Sequence, residues 1–177
     1  SGNPYHYQEW ATSVAGVGAA RVISKWNGAG TVKVILAGPD LEPVVDSVVT
    51  ACAAHIEEQR PVGPEVTVVS ASAKNIAVEA SVQLDGTTTA AAVKAALNTS
   101  VASYLRELTV SAFHGNIDMQ LESLNGRTYT VLYNRIAYLL LSIPGVIDYT
   151  SLKVNGGTDN IVVGPTEVPV LSEVSVT

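Results

Sequence analysis

Cysteine is nearly missing from the chain. A single thiol, Cys52, in 177 residues excludes an intramolecular disulfide and a cysteine-based metal cluster. Charge is scarce as well: 15% of residues are charged, with 10 basic against 16 acidic and a net charge of -6. No run of lysine and arginine appears, and phosphate-backbone binding needs such clusters, so nucleic acid is not an expected partner. No stretch approaches the ~18 consecutive apolar residues of a membrane span, and no signal-peptide pattern is visible. Membrane insertion is therefore not expected. What the sequence does have is aliphatic mass. At 47% hydrophobic it can bury a real core, as one good-sized domain or two small ones.

Residues 5 to 36 organise the rest. Tyr7, Trp10, Ala11 and Val14 recur on one helical face, with Asn3-Pro4 as N-cap and first-turn proline. Gly16 and Gly18 offer the positive φ angles that stop the helix. Val22, Ser24 and Trp26 then alternate with Arg21, Ile23 and Lys25, as on a strand. Asn27-Gly28-Ala29-Gly30 marks a turn, and Val32, Val34 and Leu36 begin the return strand. A helix from about 42 to 60 follows, capped by Asp40, with Val45, Val48, Val49, Cys52 and Ile56 inward. Arg60-Pro61 ends it. Residues 65 to 70 read as a strand. From 75 to 85, Ile76, Val78, Ala80, Val82 and Leu84 alternate with polar neighbours, a strand with one buried face. Thr87 to Thr89 cap a helix running to about 108, lined by Val93, Leu97, Val101, Tyr104, Leu105 and Leu108. Residues 110 to 128 are expected to form a long loop or small hairpin. A further helix from about 129 to 142 buries Leu132, Ile136, Leu139, Leu140 and Ile143 and stops at Pro144-Gly145.

The opening unit returns near the C-terminus. Ser142-Ile143-Pro144-Gly145-Val146 echoes Ser13-Val14-Ala15-Gly16-Val17 at a shift of 129 residues. The same shift maps Tyr7, Trp10, Ala11 and Val14 onto Ile136, Leu139, Leu140 and Ile143, and Asn27-Gly28 has a counterpart in Asn155-Gly156. Two copies are too few for a solenoid. The expectation is an α+β fold of two related modules, 1–72 and 73–177. Each packs helices on a small, mainly antiparallel sheet, and a helix–strand–hairpin–strand unit is used twice. The second copy follows a strand and a helix, and the first has no such lead-in, as expected of a fragment of a longer protein.

A search for chemistry finds little. Gly16-Val17-Gly18 leaves a helix and enters a strand, the reverse of a dinucleotide loop. His6, His55 and His114 are scattered; His55 with Glu58, or His114 with Asp118, supplies two metal ligands where three or four are needed. Gly-x-Ser-x-Gly is absent. Cys52 lies on an apolar helix face, where a buried thiol is inert. Glu57-Glu58 are helix neighbours that do not face each other. The run from Asn155 to Asn160 lacks the alternating acids of a calcium loop, and the Asn98-Thr99-Ser100 sequon falls mid-helix. No catalytic, cofactor or metal residue is assigned, and no small-molecule substrate is expected. Trp26, beside Asn27 at a hairpin tip, either anchors an interface or folds back over its own module. At the C-terminus Val168, Val170, Ser172, Val174 and Val176 alternate with Pro169, Leu171, Glu173 and Ser175, and Pro169 favours an edge strand. Trp26, Asn27, Val168 and Val170 are the candidate interface residues.

Three stretches of the opening unit carry a resemblance: Tyr7-Gln8-Glu9-Trp10-Ala11, Val14 through Val22, and Trp26-Asn27-Gly28-Ala29-Gly30-Thr31-Val32. With Arg60-Pro61-Val62-Gly63-Pro64-Glu65-Val66-Thr67-Val68, Pro144 through Tyr149 and Glu167-Val168-Pro169-Val170-Leu171, the chain resembles the C-terminal portion of the baseplate J-like family. The last stretch points to the branch found in prophages of Gram-positive bacteria. The likeness runs over nearly all 177 residues and departs at Ala15, where the family usually has proline. It implies a non-enzymatic wedge protein of a contractile phage or prophage tail, without cofactors. Its partners would be other wedge proteins and copies of itself in a ring. It would be located in the virion tail baseplate and, during assembly, in the bacterial host cytoplasm. Rival readings are a receptor- or glycan-binding module, which favours exposed aromatic clusters, and a small tail-associated hydrolase, which needs an acid or metal constellation.

Overall fold

A computed structural model describes residues 3–118 and 126–177. In chain order the elements are α1 (Pro4–Thr12), β1 (Ala19–Ser24), β2 (Thr31–Ala37), α2 (Asp46–Gln59), β3 (Glu65–Ser70) and β4 (Ser72–Leu84). Then come α3 (Ala90–Asp118), β5 (Tyr129–Val131), α4 (Tyr133–Leu141), β6 (Val146–Val154), β7 (Ile161–Val163) and β8 (Glu167–Val176). The strands form sheets of order β1-β2-β3, β6-β4-β8 and β5-β7. The architecture is α+β, with four helices on small sheets among the described residues. The chain divides into two units. The first holds Ser1–Ala73, Thr109–Tyr129 and Gly164–Val168; the second holds Lys74–Leu108, Thr130–Val163 and Pro169–Thr177.

In the first unit β1 and β2 run antiparallel, with Ala20 opposite Leu36 and Val22 opposite Val34. β3 joins β2 in parallel, Val66 beside Val32 and Val68 beside Val34. These residues share one face, and α1 and α2 cover it with Tyr7, Ala11, Cys52 and Ile56. The other face is buried too, since Ala19, Arg21, Ile23 and Ile35 are all shielded. Arg127, Tyr129 and Pro165, from the two later stretches of this unit, lie against Arg21. Burial on both faces accounts for the run Val34-Ile35-Leu36-Ala37, which a half-wet strand would interrupt with polar residues.

In the second unit β4 keeps one buried face at Ile76, Val78 and Ala80 and leaves Asn75, Glu79 and Gln83 exposed. β6 pairs with it antiparallel, Val154 opposite Val78 and Leu152 opposite Ala80. Thr177, one residue past β8, donates to the Ala80 carbonyl at 3.0 Å and accepts from the Val82 amide at 2.9 Å. That is the bonding of a parallel rung. β8 therefore forms an edge of its sheet, as its proline indicates.

Several boundaries differ from expectation. α2 begins at Asp46, not near 42, and Asp40 does not cap it. Leu41 has φ 58°, which no α-helix accommodates, and a tight loop is closed by Gly38 N–H to Glu42 O at 2.8 Å. Val45, read as core, is the N-cap and 67% exposed. α3 runs on to Asp118, so 110–118 is helix; 119–125 lie outside the described residues. The spacing Val101, Leu105, Thr109, Phe113 continues one buried stripe. Gly115 costs an interior helix only about 1 kcal/mol, so the His114-Gly115 turn signal is overridden. The helix expected from 129 starts as β5, with Leu132 an exposed N-cap. Gly18 has no positive φ. Its lack of a side chain is required because a Cβ would meet Gly38 O at 2.4 Å.

The repeat holds in part. Ser13, Val14 and Val17 donate backbone bonds to Glu9, Ala11 and Val14; Ser142, Ile143 and Val146 donate the same bonds to Tyr138, Leu140 and Ile143. Gly16 and Gly145 take φ 88° and 92°. A strand and an Asn-Gly tip follow in both copies. Beyond the tip the copies part: β2 pairs with β1, whereas β7 pairs with β5.

Candidate functional site

The histidines are engaged in local structure. His55 Nε2 lies 3.2 Å from Ser13 Oγ, and His6 stacks on Trp10 with ring centroids 5.8 Å apart. His114 Nδ1 is 2.6 Å from Gln8 Nε2, which also donates to Ala20 O. Asp118, proposed beside His114, has a side chain outside the described residues. Among the described residues no group of three His, Cys, Asp or Glu is placed to hold a metal. No described helix is long and apolar enough to cross a membrane. Cys52 is fully buried, and burial pushes its thiol up to about 11. Glu57 pairs with Arg60 at 2.6 Å on the surface, and that hydrogen bond holds its carboxyl below the usual range. Asn155, at φ 51°, is tied down by Ala77 N–H to its Oδ1 and its Nδ2 to Asn75 O. Asn160 Oδ1 accepts from the Tyr133 amide at the start of α4. Both side-chain oxygens are committed to the backbone, which is the work of a hairpin and a helix start.

The four candidate interface residues divide. Trp26 is 41% exposed at the β1–β2 tip, and Lys33 Nζ sits 4.6 Å over its ring, within cation–π range. Asn27 beside it is exposed, its amide donating to Thr31 Oγ1 at 3.0 Å. Val168 is fully buried and offers no side-chain surface. Val170 is half-buried on edge strand β8.

Arg21 is the residue that alternation alone did not single out. It is 2% exposed, with one terminal nitrogen donating to Pro165 O at 3.0 Å and the other to Arg127 O at 2.7 Å. Its Nε is buried without a partner among the described residues. Burial lowers its pKa from the ordinary arginine value. Burial likewise pushes the Tyr129 hydroxyl up to about 12, against the pull of a bond with Thr109 and the Arg21 charge. Tyr129 donates to Glu167 O at 2.6 Å. The cluster binds three stretches of one unit through carbonyls rather than carboxylates. The one signal available in the sequence was the unbroken apolar run around it.

Residues 1–70 match the Baseplate J-like central domain, and residues 76–177 match the Baseplate J-like protein C-terminal domain. The chain belongs to the baseplate J-like family. Two relatives come from Bacillus subtilis (strain 168). Protein YqbT is 32% identical over 183 residues, and phage-like element PBSX protein XkdT is 31% identical over 183 residues. Each alignment covers 99% of this chain and 48% of the relative, so the chain spans about half the length of the curated relatives it matches. A chain in the cryo-EM structure of the anti-feeding prophage (AFP) baseplate, 6-fold symmetrised, superposes with TM-score 0.58. The identity is 8%, over 94% of this chain and 36% of that one; that likeness concerns the fold. The baseplate J-like chain is thus related to prophage proteins, and its family belongs to phage-tail baseplates.

Proposed function

We propose that this chain is the central and C-terminal part of a wedge protein in the baseplate of a contractile phage or prophage tail. There it holds neighbouring subunits, copies of itself and other wedge proteins, around the tail. Its role is structural and non-enzymatic. It is built in modules 1–72 and 73–177, assembles in the host cytoplasm and ends in the virion. The observation that carries the reading is the family match in two consecutive pieces along nearly the whole chain. The fold neighbour comes from a baseplate with 6-fold symmetry, which supports a ring. Two elements are assigned to contacts: the Trp26-Asn27 tip, and the β8 edge at Val170, where free backbone groups can pair with another chain.

Cryo-electron microscopy of the intact tail tests this. Density for this fold belongs in the collar of subunits around the tail tube, and its absence from purified tails would sink the reading. For the edge, Val170→Lys in the full-length protein should leave circular dichroism unchanged and stop baseplate assembly, since a lysine on an edge strand blocks pairing. Normal baseplates in that variant remove β8 from the contact. Deleting 166–177 is a poorer test, because Val168 and Val174 are core and the Thr166 and Glu167 carbonyls accept from Ser72 and Tyr129.

A further inference from the structure

The β1–β2 hairpin presents two unlike ends. One is the tip, where the stretch from Lys25 to Lys33 carries two lysines and no acid. A Cβ built at Gly28 or Gly30 meets nothing within 4 Å, so the turn at these two glycines is open among the described residues. Trp26 is exposed there with the Lys33 ammonium against its ring.

The other end is a cleft of about 200 Å³ where the loop before α2 meets the turn after α1. Pro43, Val44, Val45 and Val48 line it together with Asp40 and Glu42. The stretch 39–46 carries three acids and no base. Among the described residues its apolar part is left partly open, with Val45 67% exposed. Its shape is fixed, because Gly18 packs directly on Gly38 and Pro39 and donates to Ala37 O at 2.9 Å. Six residue pairs separate the two ends, about 20 Å of ladder at strand rise.

We infer that the Trp26 tip of one copy seats in the Pro43–Val48 cleft of the next, with Lys33 meeting Asp40 and Glu42. The occupant is a second copy of this chain. An aromatic anchor entering an apolar cleft, with opposite charges at the margin, is the composition of an interface centre. The two surfaces differ and lie at opposite ends of one rigid hairpin, so the contact is head-to-tail. Such a contact propagates into a ring or an open filament when each copy engages two different neighbours, and it closes as a two-fold pair only if two copies exchange tips reciprocally. This rests on the ring reading above and names the faces that reading leaves open.

Cysteine trapping tests it in the chain as it stands, with Cys52 silent in the core. Asn27→Cys with Pro43→Cys in one chain should give, on mild oxidation, a ladder of dimers, trimers and larger species. The two single variants mixed should stop at dimers, and each alone should give none. Trp26→Ala in the double-cysteine chain should cut the ladder about tenfold. Lys33→Glu should do the same, and Glu42→Lys added to it should restore the yield. Absence of a ladder overturns the contact, as does dimerisation of the Asn27→Cys chain alone, which would mean tip-to-tip pairing. In purified tails, capture of a different protein by Pro43→Cys also overturns it while leaving the ring reading intact. A chain missing from tails would instead defeat that reading.

Discussion

Arg21 buries a guanidinium with no carboxylate opposite it among the described residues, and its removal can be worked through in magnitude. Two bonds from a charged donor to the Pro165 and Arg127 carbonyls contribute roughly 1.5–3 kcal/mol each. Against them stand the burial of the charge, visible in the lowered pKa, and a buried Nε without a partner, the latter costing about 1–3 kcal/mol. Arg21→Met keeps most of the volume, removes both penalties and leaves two carbonyls without donors. The net expected loss is about 1–3 kcal/mol. Arg21→Ala adds a cavity, and the loss should grow to about 3–5 kcal/mol. Arg21→Lys keeps a charge but cannot fork to two carbonyls, so it should fall nearer to Met than to the parent. Urea unfolding followed by tryptophan fluorescence reads this out locally, since the chain's two tryptophans, Trp10 and Trp26, both lie in the first unit. If Arg21→Met unfolds at the same or a higher urea midpoint, the carbonyl bonds do not offset the burial, and the cluster is not what holds 126–129 and 164–168 to this sheet.

Two further outcomes follow from the same packing. Cys52 stays protonated in the folded chain up to about pH 11 but ionises near 9 when unfolded, so the unfolded state binds fewer protons between those values. Stability should then fall as pH rises from about 9 to about 11, by up to ~2–3 kcal/mol; Cys52→Val should flatten that limb of a urea–pH series, and identical limbs would refute it. Gly145→Ala should lose about 1–3 kcal/mol, because φ is 92° and the new Cβ meets Thr88 at 2.5 Å; Gly28→Ala, at φ 95° in open space, should lose less in the same thermal-melt comparison.

Periodicity delivered the helices and most strands because one-sided burial imprints itself residue by residue. The Tyr7–Ala11 face, the Ile76–Ala80 alternation and the Thr89 cap, whose hydroxyl accepts from Ala92 at 3.2 Å, are all local facts. What escaped depends on distant chain. Burial of Arg21 follows from Arg127 and Pro165, more than a hundred residues away in sequence. Gln8, outside the apolar stripe of its helix, is buried, with its amide donating to Ala20 O across to β1. The 110–118 helix was hidden by a glycine that a buried Phe113 outweighs. The tip at Trp26 was legible as a turn, whereas the cleft at the far end of the hairpin depends on Leu41 adopting a left-handed backbone, a conformation disfavoured for leucine. The division of the strand after Asn155-Gly156 was equally hidden: β7 goes to β5, and nothing within either strand names its partner.

The repeated turn explains why one position tolerates two unlike residues. Its three backbone bonds are donated by residues 13, 14 and 17 in the first copy and by 142, 143 and 146 in the second. None uses the amide of Ala15 or of its counterpart Pro144, so a residue lacking N–H fits without loss. The surrounding angles agree as well: Ser13 has φ -76°, ψ -13° and Ser142 φ -83°, ψ -9°, with the glycines at 88° and 92°. Ile143 already precedes a proline in this geometry, which meets the restriction proline places on its predecessor; Val14, a β-branched residue in the same turn, should meet it equally. Ala15→Pro therefore removes freedom from the unfolded chain and disturbs no bond in the folded one. The expected gain is about 0.4–1 kcal/mol, read as a higher urea midpoint in tryptophan fluorescence with an unchanged slope. A lower midpoint would mean that the two turns, alike in their bonds, differ in backbone path at the very residue where their sequences differ, and the repeat would then stop at the helix.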